Sequence, residues 1–341
     1  MAIATETLRI GVLGVGRIGR MHAELLERQV PGAAVSVVYD AYEPVAREVA
    51  ARLGVLAAET AEELIAAPEV DAVAICTPTG FHVDQIIAAA QAGKAVFCEK
   101  PVSLDLATLD RALTVVASTG VPFQIGFNRR FDPAHAAVAA AVADGTVGEP
   151  HIARITSRDP DPPPLEYARS SGGLFLDMTI HDFDMARYVV GSEIEEVYAR
   201  AAVRVDPAIA GVGDVDTAVI TLVHENGCLT TIDNSRRARY GYDQRVEVFG
   251  SEGMAASGNP LGHTATVSTA TGTSSATLPY FFLERYIPSY LREWQAFVHA
   301  VSTGVPPAVG PRDARAPLVA GLAAWMSVRE GRPVKTAEVT A

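Results

Sequence analysis

The hydrophobic pattern of the first third of the chain predicts alternating strands and helices. The predicted strands lie at 8–13, 34–39, 71–77, 95–98 and 121–127. The predicted helices lie at 17–29, 43–53, 80–92 and 104–118. Strands that are apolar on both faces and joined by helices are typical of a parallel sheet covered on both sides. The sequence therefore predicts a doubly wound domain over residues 1–127.

The pattern changes after residue 127. Helices are predicted at 133–143, 173–190, 284–302 and 312–329. Strand-like runs lie at 151–157, 197–205, 217–224, 228–235, 245–249 and 265–269. Most of these strands follow one another with no helix between them, which predicts an antiparallel or mixed sheet. The sequence thus predicts an α/β protein, with a Rossmann domain over 1–127 and a second α/β domain, containing a mostly antiparallel sheet, over 128–341.

Composition narrows the class of protein. A chain of 341 residues suits two domains. The 28 Lys and Arg residues against 40 Asp and Glu give a formal net charge of −12, which disfavours nucleic acid as a partner. The three cysteines are far apart and form no CxxC motif, so neither a disulfide framework nor a zinc knuckle is indicated. No signal peptide or long apolar run is apparent, so we expect a cytoplasmic protein with no membrane partner.

A glycine-rich turn follows the first predicted strand. Its sequence runs Gly14, Val15, Gly16, Arg17, Ile18, Gly19 and opens the first predicted helix. The first glycine allows a tight turn, the second lets backbone N–H groups approach a pyrophosphate, and the third lets helix and strand pack closely. FAD and S-adenosylmethionine proteins share this loop, so the glycines alone do not identify a nicotinamide.

An acidic residue in the next strand narrows the choice of cofactor. Asp40 ends that strand 21 residues after Gly19, where a carboxylate can accept both ribose hydroxyls and repel a 2′-phosphate. The sequence therefore predicts NAD as the cofactor. Two features leave alternatives open: Arg47 is close enough in sequence to affect this choice, and a strand-end Asp can instead cap the helix that begins near Glu43.

Two segments carry candidate reacting groups. Lys100 follows a predicted parallel strand, at the edge where open α/β sheets bind ligands. An ammonium there can stabilise a developing alkoxide, although a solvated surface lysine is the alternative. Asp177 and His181 are four residues apart, so on a helix they share one face. Imidazole suits the base that takes a hydroxyl proton, with a carboxylate orienting it; a purely structural hydrogen bond is the alternative.

Spacing leaves the partner of His181 open, because Asp184 lies on the same predicted stripe as Asp177. The same three side chains have a spacing that permits a metal ion. However, oxidation of an alcohol by a nicotinamide needs only a base and a cation, and the other histidines show no partner spacing. We therefore expect no metal.

Several of these segments together resemble the glucose–fructose oxidoreductase/inositol dehydrogenase (Gfo/Idh/MocA) family. The resemblance runs almost end to end, and in the second half it is strongest toward the inositol dehydrogenases of that family. It is carried by the glycine turn at 11–19, the Cys98-Glu99-Lys100-Pro101 segment, and the segments at 126–132, 157–160, 172–187, 234–237 and 240–244.

The resemblance implies roles for individual residues. Lys100, Asp177 and His181 would form a catalytic triad, with His181 as general base and Asp177 as its orienting partner. The nicotinamide half of the cofactor would be lined by Thr77, Pro78, Thr79 and Glu99. Substrate hydroxyls would be contacted by Asn128, Arg129, Asp159, Tyr240 and Tyr286. The alternatives are an ion pair with Asp132 for Arg129 and a turn residue for Asp159. Two roles are open for His82, namely bracing its helix and contacting the cofactor.

The resemblance also implies an activity and an assembly. The expected reaction transfers hydride from a ring CH–OH of a cyclic polyol to NAD, with myo-inositol oxidised to 2-keto-myo-inositol. A homotetramer formed through the open sheet of the second domain is expected. The alternatives are a sibling dehydrogenase acting on scyllo- or chiro-inositol or on a pyranose, and a non-catalytic regulator that senses the nucleotide. Retention of Lys100, Asp177 and His181 together argues against the regulator.

Overall fold

The computed structural model of the protein describes residues 7–341 and divides into two compact units. The first unit holds the described residues up to Asn128 together with Tyr290–Arg315 and Ala341. The second holds Arg129–Ser289 and Ala316–Thr340. A single boundary between residues 127 and 128 therefore does not separate the compact units, because part of the chain's C-terminal helical region belongs to the first.

A six-stranded parallel sheet forms the centre of the first unit. Its strands are β1 (Leu8–Leu13), β2 (Ala33–Tyr39), β3 (Leu56–Ala57), β4 (Ala72–Ile75), β5 (Ala95–Glu99) and β6 (Phe123–Gly126). They lie in the order β3-β2-β1-β4-β5-β6. The central strands are apolar and almost wholly buried, as expected for a sheet covered on both faces. The predicted doubly wound fold is confirmed.

Five helices connect these strands: α1 (Arg17–Gln29), α2 (Glu43–Leu53), α3 (Ala61–Ala66), α4 (Thr79–Gln91) and α5 (Leu106–Thr119). Local caps fix some of their ends. Asp105 accepts the Thr108 N–H at 2.8 Å at the start of α5, and Gly120, with φ +68°, ends the helix in the left-handed region. The short pair β3 and α3 has no sequence prediction, because neither is long enough to show a clear hydrophobic period.

The second unit is built on a seven-stranded mixed sheet. Its strands are β7 (Pro150–Arg158), β8 (Ile194–Ala202), β9 (Thr217–His224), β10 (Leu229–Ser235), β11 (Asp243–Gly250), β12 (Met254–Ser257) and β15 (Val334–Lys335). Their order is β12-β11-β7-β10-β9-β8-β15. Only the β7–β10 pair is parallel, which confirms the mostly antiparallel sheet. β13 (Thr266–Thr269) and β14 (Gly272–Ser275) form a separate exposed hairpin.

The helices that complete the fold are α6 (Pro133–Ala143), α7 (Leu165–Ser170), α8 (Ile180–Val190), α9 (Phe282–Thr303) and α10 (Pro311–Glu330). The first unit takes the later part of α9, where Trp294 and Phe297 join its hydrophobic core. Within the described residues, no helix has the length and apolar character needed to cross a membrane.

The continuous α-helix predicted over residues 173–190 is wrong in one respect. Its first part, Leu174–Met178, is a π-helical turn, and α8 begins only at Ile180. The Thr179 N–H donates to the Leu174 carbonyl at 2.9 Å, an i→i+5 bond. Asp214 holds the start of this turn by accepting the Leu174 N–H at 2.8 Å. Such turns occur often at functional sites.

Candidate active site

The glycine turn has the geometry of an anion site. Gly14 has φ +81°, and a Cβ there would lie 2.8 Å from the Thr77 backbone nitrogen. A Cβ on Gly19 would lie 1.8 Å from the Gly14 carbonyl oxygen, so only glycine allows α1 to pack this closely on the turn. Among residues 7–341, no atom lies within 4 Å of a Cβ built on Gly16, and no side chain caps α1 there. The first N–H groups of α1 are therefore available to a pyrophosphate.

Asp40 is tied to this turn. Its carboxylate accepts the Val15 N–H and the Tyr42 N–H, both at 2.9 Å. Each carboxylate oxygen has a further lone pair for a ribose hydroxyl. Asp40 does not cap α2, whose N-cap residue is Tyr42. Arg47 forms an exposed ion pair with Glu43 one turn earlier in α2. These residues fit the adenosine half of NAD.

The loop after β4 is braced from inside the first unit. Thr77 donates its hydroxyl to Gln85 at 2.6 Å, and α4 begins at Thr79 with Pro78 before it. The ring nitrogens of buried His82 lie 2.7 Å from the Thr77 carbonyl oxygen and 2.8 Å from that of Pro101. His82 therefore joins this loop to the segment that carries Lys100. Of the two roles considered for His82, the structure supports bracing.

Glu99 and Lys100 lie at the carboxyl end of β5, as predicted. The Lys100 N–H donates to the Glu99 carboxylate at 3.3 Å, and both side chains are half-buried. A Cβ on Gly126 of the neighbouring strand would lie 3.3 Å from the Glu99 carboxyl group. Gly126 therefore provides the space that the Glu99 side chain occupies.

In the second unit, Asp177 and Asp184 have different surroundings. Asp177 accepts the Tyr167 hydroxyl at 2.9 Å and the Arg236 guanidinium at 3.2 Å. Asp184 accepts two N–H groups of Arg130, at 2.8 and 2.5 Å. His181 is half-buried in the first turn of α8. Because the π turn precedes it, α-helical spacing alone no longer places Asp177 and His181 on one face.

Arg236 joins two of the predicted acids. Its Nη1 atom lies 3.2 Å from Asp177 Oδ2 and 3.7 Å from Asp159 Oδ2. Burial raises the pKa of Asp159 to about 6; Arg236 opposes this rise and Asp177 adds to it. The Asp159, Asp177 and Arg236 side chains form a cluster of two acids and one arginine, which can accept hydrogen bonds from hydroxyl groups and donate to them. Sequence reasoning named the segment 234–237 but did not single out Arg236, nor Tyr167 as a donor to Asp177.

Arg129 pairs with Asp182 rather than with Asp132. It donates to Asp182 at 2.7 Å and to the Tyr242 hydroxyl at 3.4 Å. Asp132 instead caps α6 and pairs with Arg285. Arg129 therefore forms an ion pair, as that alternative expects, but its partner is Asp182 and not Asp132. Its contact with substrate remains a prediction.

The other predicted substrate residues differ in exposure. Tyr240 is 52% exposed, and its hydroxyl accepts from Arg158 at 2.9 Å and donates to Asp243 at 2.7 Å. Asn128 and Tyr286 are buried. Within residues 7–341, the Asn128 Nδ2 atom and the Tyr286 hydroxyl have no hydrogen-bond partner. Polar atoms left in this way suit a ligand or ordered water.

Relatives of known name resemble the chain along almost its whole length. Myo-inositol 2-dehydrogenase from Thermotoga maritima is 50% identical over 97% of this chain and 99% of its own. Inositol 2-dehydrogenase from Rhizobium meliloti is 44% identical over 97% of this chain and 100% of its own. The crystal structure of scyllo-inositol dehydrogenase from Lactobacillus casei with bound NAD(H) and scyllo-inositol matches with a TM-score of 0.91 and 30% identity, covering 97% of this chain and 100% of that one.

Both halves of the chain match family descriptions. Residues 8–127 match the oxidoreductase family with an NAD-binding Rossmann fold, which confirms the predicted cofactor. Residues 135–256 match the GFO/IDH/MocA C-terminal domain. The chain is therefore an NAD-dependent oxidoreductase of the GFO/IDH/MocA family.

Proposed function

We propose that the protein oxidises one ring CH–OH of a cyclic polyol and that its preferred substrate is myo-inositol, which becomes 2-keto-myo-inositol. The observation that carries this proposal is the cluster in which Asp177 accepts both Tyr167 and Arg236, next to Asp159. The names of the two relatives at 50% and 44% identity support the choice of inositol.

In this proposal Lys100, Asp177 and His181 act on the same hydroxyl group. NAD, when bound, supplies the acceptor for the hydride. His181 takes the hydroxyl proton, since imidazole is a suitable base near neutral pH. Asp177 orients that imidazole, and its two donors, Tyr167 and Arg236, hold the carboxylate in place. Lys100 stabilises the developing alkoxide with its positive charge.

Neutral, acidic and basic side chains would recognise the remaining hydroxyls. Asp159, Asn128 and Tyr286 offer acceptors and donors to a neutral ring with many hydroxyls, and Arg129 and Tyr240 complete the proposed set. A site of this kind rejects an analogue that lacks one hydroxyl, because a buried polar group is then left unpaired. Scyllo-inositol differs from myo-inositol only in the orientation of one ring hydroxyl, so the two are compared directly in the substrate panel.

We also propose a homotetramer in the cytoplasm. Four exposed apolar residues are cross-strand neighbours on the seven-stranded sheet, namely Ile152, Leu229, Phe249 and Met254. A contiguous exposed apolar patch is typical of a protein–protein interface. Light scattering coupled to size-exclusion chromatography tests this assembly; a monomeric mass at micromolar concentration would contradict it.

A panel of cyclic polyols and pyranoses tests the reaction. The protein is mixed with NAD or NADP, and NADH or NADPH absorbance is followed for myo-, scyllo- and chiro-inositol and for glucose. We expect the highest kcat/KM with myo-inositol and NAD. Higher kcat/KM with another substrate would assign a sibling dehydrogenase. Binding of NAD with no turnover on any substrate would refute the proposed reaction and favour a nucleotide-sensing regulator.

A further inference from the structure

A buried histidine in the first unit links an indole to the acid beside Lys100. His22 lies in α1, and its side chain has no exposed surface. The Trp294 Nε1 atom lies 2.8 Å from His22 Nδ1, and His22 Nε2 lies 2.8 Å from Glu99 Oε1. All three residues belong to the same compact unit. The chain of contacts therefore runs from α9, through α1, to the end of β5.

The chemistry of the indole fixes the hydrogen positions along this chain. An indole nitrogen can only donate, so His22 Nδ1 must accept from Trp294. The ring hydrogen of His22 therefore lies on Nε2, where it donates to Glu99. The result is a neutral imidazole with one defined tautomer, which donates to the Oε1 atom of Glu99.

Packing holds the imidazole in this orientation. The rings of Phe97, Tyr290 and Trp294 surround His22 edge-on, with centroids 5.5, 5.3 and 5.5 Å away. Rotation of the His22 ring would clash with these neighbours and break both hydrogen bonds. The imidazole is thus a rigid donor aimed at one carboxylate oxygen.

The Glu99 carboxylate connects His22 to Lys100. Its Oε1 atom accepts from His22, and its Oε2 atom accepts the Lys100 backbone N–H at 3.3 Å. Gly126 leaves room for the carboxylate in this position. One side chain therefore connects a fixed donor in the core to the backbone of the proposed catalytic lysine.

We propose that His22 and Trp294 are positioning residues that hold Glu99, and through it Lys100, in the geometry that turnover requires. Neither residue is proposed to touch substrate. The role of Lys100 rests on the proposed polyol oxidation, so the test includes one measurement that is independent of turnover. The competing interpretation is a purely structural role in which His22 only fills the core.

A double-mutant cycle separates these interpretations. His22→Phe keeps an aromatic ring but removes the donor, and Glu99→Gln removes the charge that His22 faces. We expect each to lower kcat by about 10- to 100-fold, because small displacements of a reacting group are costly. The double variant should be no slower than the worse single variant, since both act through one contact. Multiplying effects in the double variant would overturn the proposal.

Two further variants sharpen the result. His22→Gln retains an N–H donor and should recover most of the kcat lost in His22→Phe. His224→Phe is the matched control, because His224 is also buried and bonded to Ser192 and Thr230 but lies in the second unit. It should lower the melting temperature and leave kcat unchanged. Equal loss of kcat in His22→Gln and His22→Phe would also overturn the proposal.

The measurement without turnover is ¹⁵N NMR of histidine-labelled protein. In the wild type at pH 7.5, His22 should be protonated on Nε2 only, and its resonances should shift in Trp294→Phe and in Glu99→Gln. A hydrogen on Nδ1 would overturn the proposal even in an active enzyme. The expected spectrum in a protein that oxidises no polyol would support the hydrogen-bond chain and refute only the proposed reaction.

Discussion

Replacing Asp159 by Asn should stabilise the protein at neutral pH while weakening its binding of substrate. Burial raises the pKa of Asp159 from 3.8 to about 6, despite the nearby Arg236. This difference in pKa corresponds to about 3 kcal/mol in the free energy of unfolding. The side chain is 22% exposed, so solvent screening makes this figure an upper value. Asn is similar in shape to Asp and has no charge to desolvate.

The direction in which this stability gain changes with pH follows from proton linkage. In the folded protein Asp159 keeps its proton up to about pH 6, whereas in the unfolded chain it loses the proton near pH 3.8. Between these values the unfolded state binds fewer protons, so the wild type loses stability as pH rises. Asn carries no such penalty. The gain from Asp159→Asn should therefore grow from about 1 kcal/mol at pH 4.5 to about 3 kcal/mol at pH 7.5.

Urea denaturation at pH 4.5, 6.0 and 7.5, followed by circular dichroism, measures this gain. The matched control is Asp161→Asn in the same loop, because a hydrogen bond from Tyr280 lowers the pKa of Asp161. The control should give no gain at neutral pH. In the polyol assay, Asp159→Asn should raise the KM for substrate. A gain that is equal at pH 4.5 and 7.5, or absent at both, would refute the reasoning.

Three other substitutions test the proposed site. His181→Ala should lower kcat by about 10²- to 10⁴-fold with little change in NAD affinity measured by calorimetry; retained turnover would remove His181 as the base. Asp40→Ala should raise the KM for NAD and reduce the preference for NAD over NADP, because the carboxylate that repels a 2′-phosphate is lost; an unchanged preference in the coenzyme assay would refute the ribose contact. Lys100→Met should lower kcat more than it weakens NAD binding, because the charge is needed as the alkoxide develops. A wild-type kcat in this variant would show that Lys100 has no catalytic role.

Sequence predicted those parts of the fold that depend on local pattern. The buried runs of β1, β4 and β5 indicated a parallel sheet because both faces of each strand are apolar. The turn at Gly14 and Gly19 could be identified because its physical requirements act over a few residues. Asp40 could be identified for the same reason, because it ends the strand that follows this turn and the helix after it.

The remaining features depend on residues that are distant in sequence. The π turn at Leu174–Met178 is held by Asp214, which lies 40 residues further along the chain, and helical periodicity carries no sign of that contact. The amphipathic pattern of α9 indicates a buried face but does not identify the unit that buries Trp294. Arg236 illustrates the same limit, because only the fold shows that its guanidinium lies between two acids.

The surroundings of the two candidate acids, Asp177 and Asp184, were also beyond sequence. Spacing left Asp177 and Asp184 as equal partners for the imidazole. The structure gives Asp184 two bonds from Arg130 and gives Asp177 a tyrosine and an arginine. The electrostatic environment of a carboxylate is a tertiary property, so the two could be distinguished only in the folded chain.

Turnover of myo-inositol deuterated at carbon 2 tests the central claim most directly. The protein is incubated with this substrate and NAD, and the NADH formed is analysed by mass spectrometry. Direct hydride transfer from the ring CH–OH predicts that the deuterium appears in the NADH. Unlabelled NADH, or deuterium recovered in water, would contradict it.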